Sequence, residues 1–142
     1  MMQQHDLPDL LRDAAVRATT AVGLAGIGVI HALDAVGKWS ETRYMFWMYM
    51  ALIVASVATA GAVLLSRSRV PLVGAAGLAA SAALGYVLSR TTGLPNATGD
   101  IGNWTEPLGL ASLFVEGSVI AVVMGALIAP RVEGRRTAIL AR

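Results

Sequence analysis

Cysteine is missing from the sequence. Its absence excludes disulfides, thiolate metal sites and cysteine nucleophiles, and leaves the redox compartment unmarked. Charge is scarce as well. Asp, Glu, Lys and Arg make up 14% of the 142 residues, whereas a soluble domain carries about a quarter. Aromatic residues reach only 6% and histidines number two. His31 is the only histidine inside an apolar segment, so bis-histidine haem ligation within one chain is excluded. No glycine-rich loop follows a strand, because GLAGIG at residues 23–28 lies inside an apolar run. There is no nucleophile elbow, and no aromatic–basic surface suited to nucleic acid.

What remains is apolar: 56% of the residues are hydrophobic, and they fall in charge-poor runs of about 20 residues, the length that crosses a bilayer. The sequence predicts a single all-α domain over residues 1–142, an integral membrane four-helix bundle. Its spans cover roughly residues 18–36, 44–66, 70–89 and 107–130, and a longer loop covers 90–106. Before the first span, Leu7, Leu10, Leu11 and Ala14 recur at helical spacing opposite Asp9, Arg12 and Asp13. They mark either an interfacial helix or an extension of the span. The first span reads as retained rather than as a signal peptide, since acids precede it and no small-x-small cleavage site follows. GKWSETR, residues 37–43, reads as a polar connection, and Arg67, Ser68 and Arg69 as a tight basic turn.

Arginine distribution orients the bundle. Arg12, Arg17, Arg67, Arg69, Arg131, Arg135, Arg136 and Arg142 fall on one side; Lys38, Arg43 and Arg90 fall on the other. The positive-inside rule then places both termini in the cytoplasm and the chain in the plasma membrane, the bacterial inner membrane. Trp39, Tyr44, Trp47, Tyr86 and Trp104 gather at the outer interface, where amphipathic rings are favoured. Small residues at a spacing of four, Gly77, Ser81 and Gly85 in the third span and Gly117, Ala121 and Gly125 in the fourth, predict close helix packing. The packing is either within the bundle or along a seam with another copy or a partner membrane subunit.

Ionisable groups at membrane depth carry the functional reading. Glu116 is the only charge between Pro107 and Pro130, and a carboxylate there needs a partner, a proton or water. At 1.5 Å per residue it lies about 13 Å along its span, and His31 about 7 Å inside the first. Asp34 follows His31 by three residues, on the same face, while Gly109, Ser112 and Glu116 share another. Three chemistries fit this cluster. His31 and Glu116 can exchange a proton. His31, Asp34 and Glu116, with Glu41 as a further carboxylate, supply ligand types suited to zinc, iron or manganese. Alternatively Arg90 pairs with Glu116 or Asp34 and sets helix register. Met45 and Met48 share a face and offer thioethers to copper or simply to packing. In the loop, Asn96 and Asn103 open N-x-T triplets, and Asn, Gly and Pro95 predict turns.

Two stretches, HALDAVGKWSETRYMFWMYMALI at residues 31–53 and GYVLSRTTGLPNATGDIGNWTEPLGLASLFVEG at residues 85–117, resemble small bacterial four-span membrane proteins of uncharacterised function. The resemblance implies a four-helix membrane fold and singles out His31, Asp34, Lys38, Glu41, Arg90, Glu106 and Glu116 as polar members. It implies no cofactor or catalytic role. A fainter likeness to DoxX-like proteins, in size and span number, is an analogy of fold.

The expected function is a proton, metal ion or small ligand held in an outward-opening polar pocket. In that pocket Glu116 is the deep anion, His31 the titratable partner, Asp34 the second carboxylate, Arg90 the balancing charge and Trp104 the cover. The alternatives are a non-catalytic accessory or structural subunit of a larger membrane complex or homo-oligomer, and a lipid- or quinone-acting enzyme, which lacks a recognisable nucleophile.

Overall fold

Four helices and no strand make up the described part of the chain. The computed structural model describes the backbone of residues 6–140 and the side chains of residues 7–129. Helix α1 spans Asp6–Glu41, α2 Arg43–Leu65, α3 Val70–Thr91 and α4 Pro107–Leu140. Each contains a stretch long and apolar enough to cross a membrane, the last ending at Ala129. Exposed Val22, Val29, Val54, Val57, Leu84 and Phe114 wrap the outside in an apolar belt. A water-soluble monomer does not expose so continuous a surface, and lipid is its natural solvent. Of the arginines used to orient the chain, Arg131, Arg135, Arg136 and Arg142 lie outside the described side chains.

Helix α1 is longer than its apolar run. The leading segment with Leu7, Leu10 and Leu11 is its first turns, and those leucines are exposed. At the other end the expected connection over residues 37–43 shrinks to Thr42, which has extended backbone angles. The segment carries no proline, Ser40 Oγ donates to Gly37 O (3.1 Å), and Lys38 pairs with Glu41 at 2.9 Å. These local contacts carry the helix through a polar stretch. The sharp corner sets α2 antiparallel to α1, and these two helices form the most extensive packing in the bundle.

The turn between α2 and α3, residues 66–69, is held by Arg17, a residue the charge pattern placed merely at an inner surface. Its side chain is buried. Nη1 donates to Val63 O and Ser66 O, Nη2 donates to Arg67 O at 3.0 Å, and both reach Ser68 O at 3.4 Å. Asp13, one turn earlier, accepts from Nε at 2.7 Å. The last carbonyls of a helix have no partner in their own helix and carry partial negative charge. A guanidinium from the neighbouring helix satisfies them here.

Apolar packing occupies one half of the bundle. Leu24 and Ile27 of α1, Val63 of α2, Leu72, Ala75 and Ala79 of α3, and Val119 and Val123 of α4 form the core, all at the end of the 66–69 turn. Glycine allows α1 and α4 to cross there. A Cβ on Gly23 would collide with the Val119 side chain, and one on Gly26 would lie 3.2 Å from Val115 Cγ1. The stripes expected to pack the bundle behave differently. Gly77, Ser81, Gly117, Ala121 and Gly125 are exposed and Gly85 half-buried. A Cβ at Gly77, Gly85, Gly117 or Gly125 would meet nothing within 4 Å. The close crossing comes from GLAGIG, whose small residues face the large valines of α4, so small-to-large complementarity replaces small-to-small contact.

Candidate ligand pocket

The other half of the bundle is split. A cavity of about 600 Å³ lies among all four helices and the loop, on the side away from the apolar core. Its walls follow helical spacing: Met45, Met48, Tyr49 and Leu52 on α2 face Leu78, Ala82, Gly85 and Tyr86 on α3. Asp34 and His31 line it from α1, and Ser112 and Glu116 from α4. Four residues singled out in the sequence therefore meet in one space.

Glu116 closes the floor with 1% of its surface exposed. Ser112 Oγ, one turn earlier, donates to Oε1 at 2.6 Å, while Oε2 has no hydrogen-bond partner. Asp34 is tied across the α1–α2 corner, accepting a hydrogen bond from Tyr49 Oη at 2.9 Å. The Tyr49 ring stands edge-on to His31, centroids 5.2 Å apart. His31 Nδ1 lies 2.9 Å from Ile27 O. A carbonyl only accepts, so Nδ1 carries the hydrogen of this contact. Tyr49 was not among the residues singled out. The signal was present: Met45, Met48, Tyr49 and Leu52 share one face of YMFWMYMAL, so the residue facing Asp34 could have been found with the methionines.

The expected metal set does not assemble. Among the described residues no three His, Asp or Glu side chains gather closely enough to hold a metal ion. Each is turned to another partner: His31 to its own helix, Asp34 to Tyr49 and Glu116 to Ser112. Glu41 pairs with Lys38 and takes no part in the lining. Met45 and Met48 both border the cavity, Met45 as a buried packing residue.

Arg90 corrects a second expectation. It pairs with neither Glu116 nor Asp34. Its guanidinium lies at the rim, 3.3 Å from Asp100 and 3.6 Å from Glu106, donates through Nε to Asn103 O (2.9 Å) and stacks over Tyr86. Its backbone carbonyl accepts from Gly102 N. Arg90 is thus the peg around which residues 92–106 fold. Gly93, Asn96 and Gly102 take positive φ values of 75°, 55° and 79° at the bends, and Leu94 and Ala97 bridge across Pro95 and Asn96. Tyr44 Oη fastens the loop to α2 through Pro95 O. Glu106 then caps α4, its carboxylate accepting from Leu108 N and Gly109 N at 2.9 and 2.6 Å, with Pro107 in the first turn. Gly109 is needed because a side chain there would strike the Tyr86 ring. SRTTGLP…WTEPLG therefore encodes a folded cap over the bundle.

Trp104 does not border the cavity. It packs edge-on against Tyr86, whose hydroxyl donates to Trp104 O at 3.0 Å, and is 43% exposed. Tyr86, not Trp104, forms the wall. With Trp39, Tyr44 and Trp47, all exposed, Trp104 belongs to an aromatic zone at the loop end.

The charge balance of the lining follows from these pairings. Its charged members are the acids Asp34, Asp100, Glu106 and Glu116 and the bases Lys38 and Arg90. Arg90 is engaged by Asp100 and Glu106, and Lys38 by Glu41. Among the described residues, Asp34 and Glu116 are left with one hydroxyl donor each and no lysine or arginine within 4 Å. Comparison of the chain with protein-family models, with curated proteins and with solved structures returned no match.

Proposed function

We propose that this chain is a multi-pass plasma-membrane protein that holds a small ligand or a proton in a pocket opening toward the outer face, with both termini cytoplasmic. The observation that carries the reading is the Glu116 carboxylate, buried with one unpaired oxygen at the floor of a cavity of about 600 Å³. Ligand sites of small molecules commonly measure about 300–1,000 Å³ and combine apolar walls with a few converging polar groups. An ionisable group kept at membrane depth with only a hydroxyl of its own helix for a partner fits a functional role better than a packing role. The one-sided arginine distribution supports the orientation. Glu116→Gln and His31→Ala proteins in nanodiscs should lose bound ligand, or the protonation response that the wild type shows by infrared difference spectroscopy. Wild-type ligand content and wild-type carboxyl bands in both variants would refute it.

A second reading, an accessory subunit or homo-oligomer, draws on the outward stripes. Gly77, Gly117 and Gly125 have open space around them, as a seam for another helix requires. Native mass spectrometry from mild detergent separates the two: a strictly monomeric particle with no partner removes the second.

A further inference from the structure

We infer, resting on the pocket reading above, that the ligand is an organic cation: an ammonium-type or delocalised positive charge on an apolar body. Three observations converge on that class. The first is charge. Among the described residues, Lys38 and Arg90 each contact another carboxylate, whereas Asp34 and Glu116 have no lysine or arginine within 4 Å. The second is hydrogen-bonding character. The oxygens left without a donor belong to carboxylates: Glu116 Oε2 and the second Asp34 oxygen. An anion or a carbonyl-rich ligand would find no free donor among them, and the Tyr49 and Ser112 hydroxyls are already donating. The third is size and wall chemistry. Among the described residues no three metal-ligand side chains converge, so a bare metal ion would lack a coordination shell among them. The space is large, and Leu52, Ala55, Leu78 and Ala82 line it with hydrocarbon beside the tyrosine rings. Aromatic faces and carboxylates at low dielectric are the groups that recognise a weakly hydrated organic cation.

Glu116 then supplies the counter-charge, while Ser112 holds one of its oxygens and leaves the other for the ligand. The terminal torsion of a glutamate is broad and roughly two-fold, so the carboxylate turns toward an occupant without leaving its rotamer. Asp34, steadied by Tyr49, adds the second negative charge on the α1 side.

The test uses the full-length chain in nanodiscs and a charge series of matched shape: tetraphenylphosphonium, tetraphenylborate, and benzyltrimethylammonium against its neutral carbon isostere. Saturable binding is read by scintillation proximity. Two variants accompany it. Glu116→Gln removes the charge. Gly85→Leu fills the cavity from a position where a Cβ meets nothing within 4 Å. Expected are saturable binding of both cations, weakened roughly tenfold to a hundredfold by Glu116→Gln, abolished by Gly85→Leu, and absent for the borate and the neutral isostere. Cation binding indifferent to Glu116→Gln overturns the inference. Equal binding of the neutral or anionic probe, still blocked by Gly85→Leu, overturns it and leaves the pocket standing. Binding of no probe, or binding that Gly85→Leu does not touch, removes the small-ligand pocket along with it, and only a proton remains as occupant. If Glu116→Gln does not fold, the charge series on the wild type decides alone.

Discussion

A Glu116→Leu substitution should make the bundle more stable. Glu116 has one donor, Ser112, and one oxygen with no partner. An unsatisfied buried acceptor costs about 1–3 kcal/mol. Leucine removes that cost. It also removes the Ser112 bond, but the Ser112 hydroxyl can turn to the carbonyl one turn earlier on its own helix, as serines in helices do. Between helices in lipid, apolar area adds little drive, so no burial gain is counted. The net is a gain of about 1–2 kcal/mol, in line with the replacement of other buried charged groups by apolar ones. The measurement is a reversible denaturant titration in mixed micelles, followed by far-UV circular dichroism, with Glu116→Gln beside it. Glutamine keeps an acceptor for Ser112 but buries an amide without partners, so it should gain less. A loss above about 1 kcal/mol in the leucine protein would refute the reasoning, because the carboxylate would then be tying helices together. Stability gained with binding lost is the signature of a residue kept for function.

Three further outcomes follow from the same geometry. Arg17→Met should cost about 1–3 kcal/mol by leaving the buried Val63 carbonyl and the turn carbonyls without their donor, read in the same titration; no measurable loss would show that the turn holds without it. Gly23→Leu should destabilise the bundle by about 1–3 kcal/mol through the clash with Val119, whereas Gly77→Leu should leave a monomer unchanged; equal effects would mean that the α1–α4 crossing is misplaced. Arg90→Lys keeps the charge but loses the fork that reaches Asn103, Asp100 and Glu106 together, so limited proteolysis should cut within residues 92–106 several-fold faster than in the wild type, and unchanged cleavage would argue against the peg.

How much of this was legible in the sequence varied with the range of the interaction. The polar loop's turns could be read from Gly93, Pro95, Asn96 and Gly102, because positive φ and proline restrict the backbone locally. Arg90 could be seen as important but not paired correctly. Depth along the helix placed it near Glu116, yet the loop folds back on it and brings Asp100 and Glu106 closer. The small-residue stripes were visible at Gly77 and Gly117, but spacing does not say which face looks inward. Arg17 looked like one of many inner-side arginines, and nothing local pointed it at carbonyls of the α2 end and the following turn, 46 to 51 positions away.

Length, apolarity and the spacing of charge by themselves determined four membrane-length helices, because a bilayer leaves the backbone few other ways to satisfy its hydrogen bonds. They also marked Glu116, His31 and Asp34 as groups out of place. Only the packing of α1 through α4 decided that the bundle closes at one end and parts at the other. Large valines meet glycines at the closed end, and a cavity lined by rings and carboxylates lies between the helices at the open one. Which cations remain free to balance those carboxylates is a property of the assembled loop and helices, since a pairing is settled by distances that the linear order does not contain.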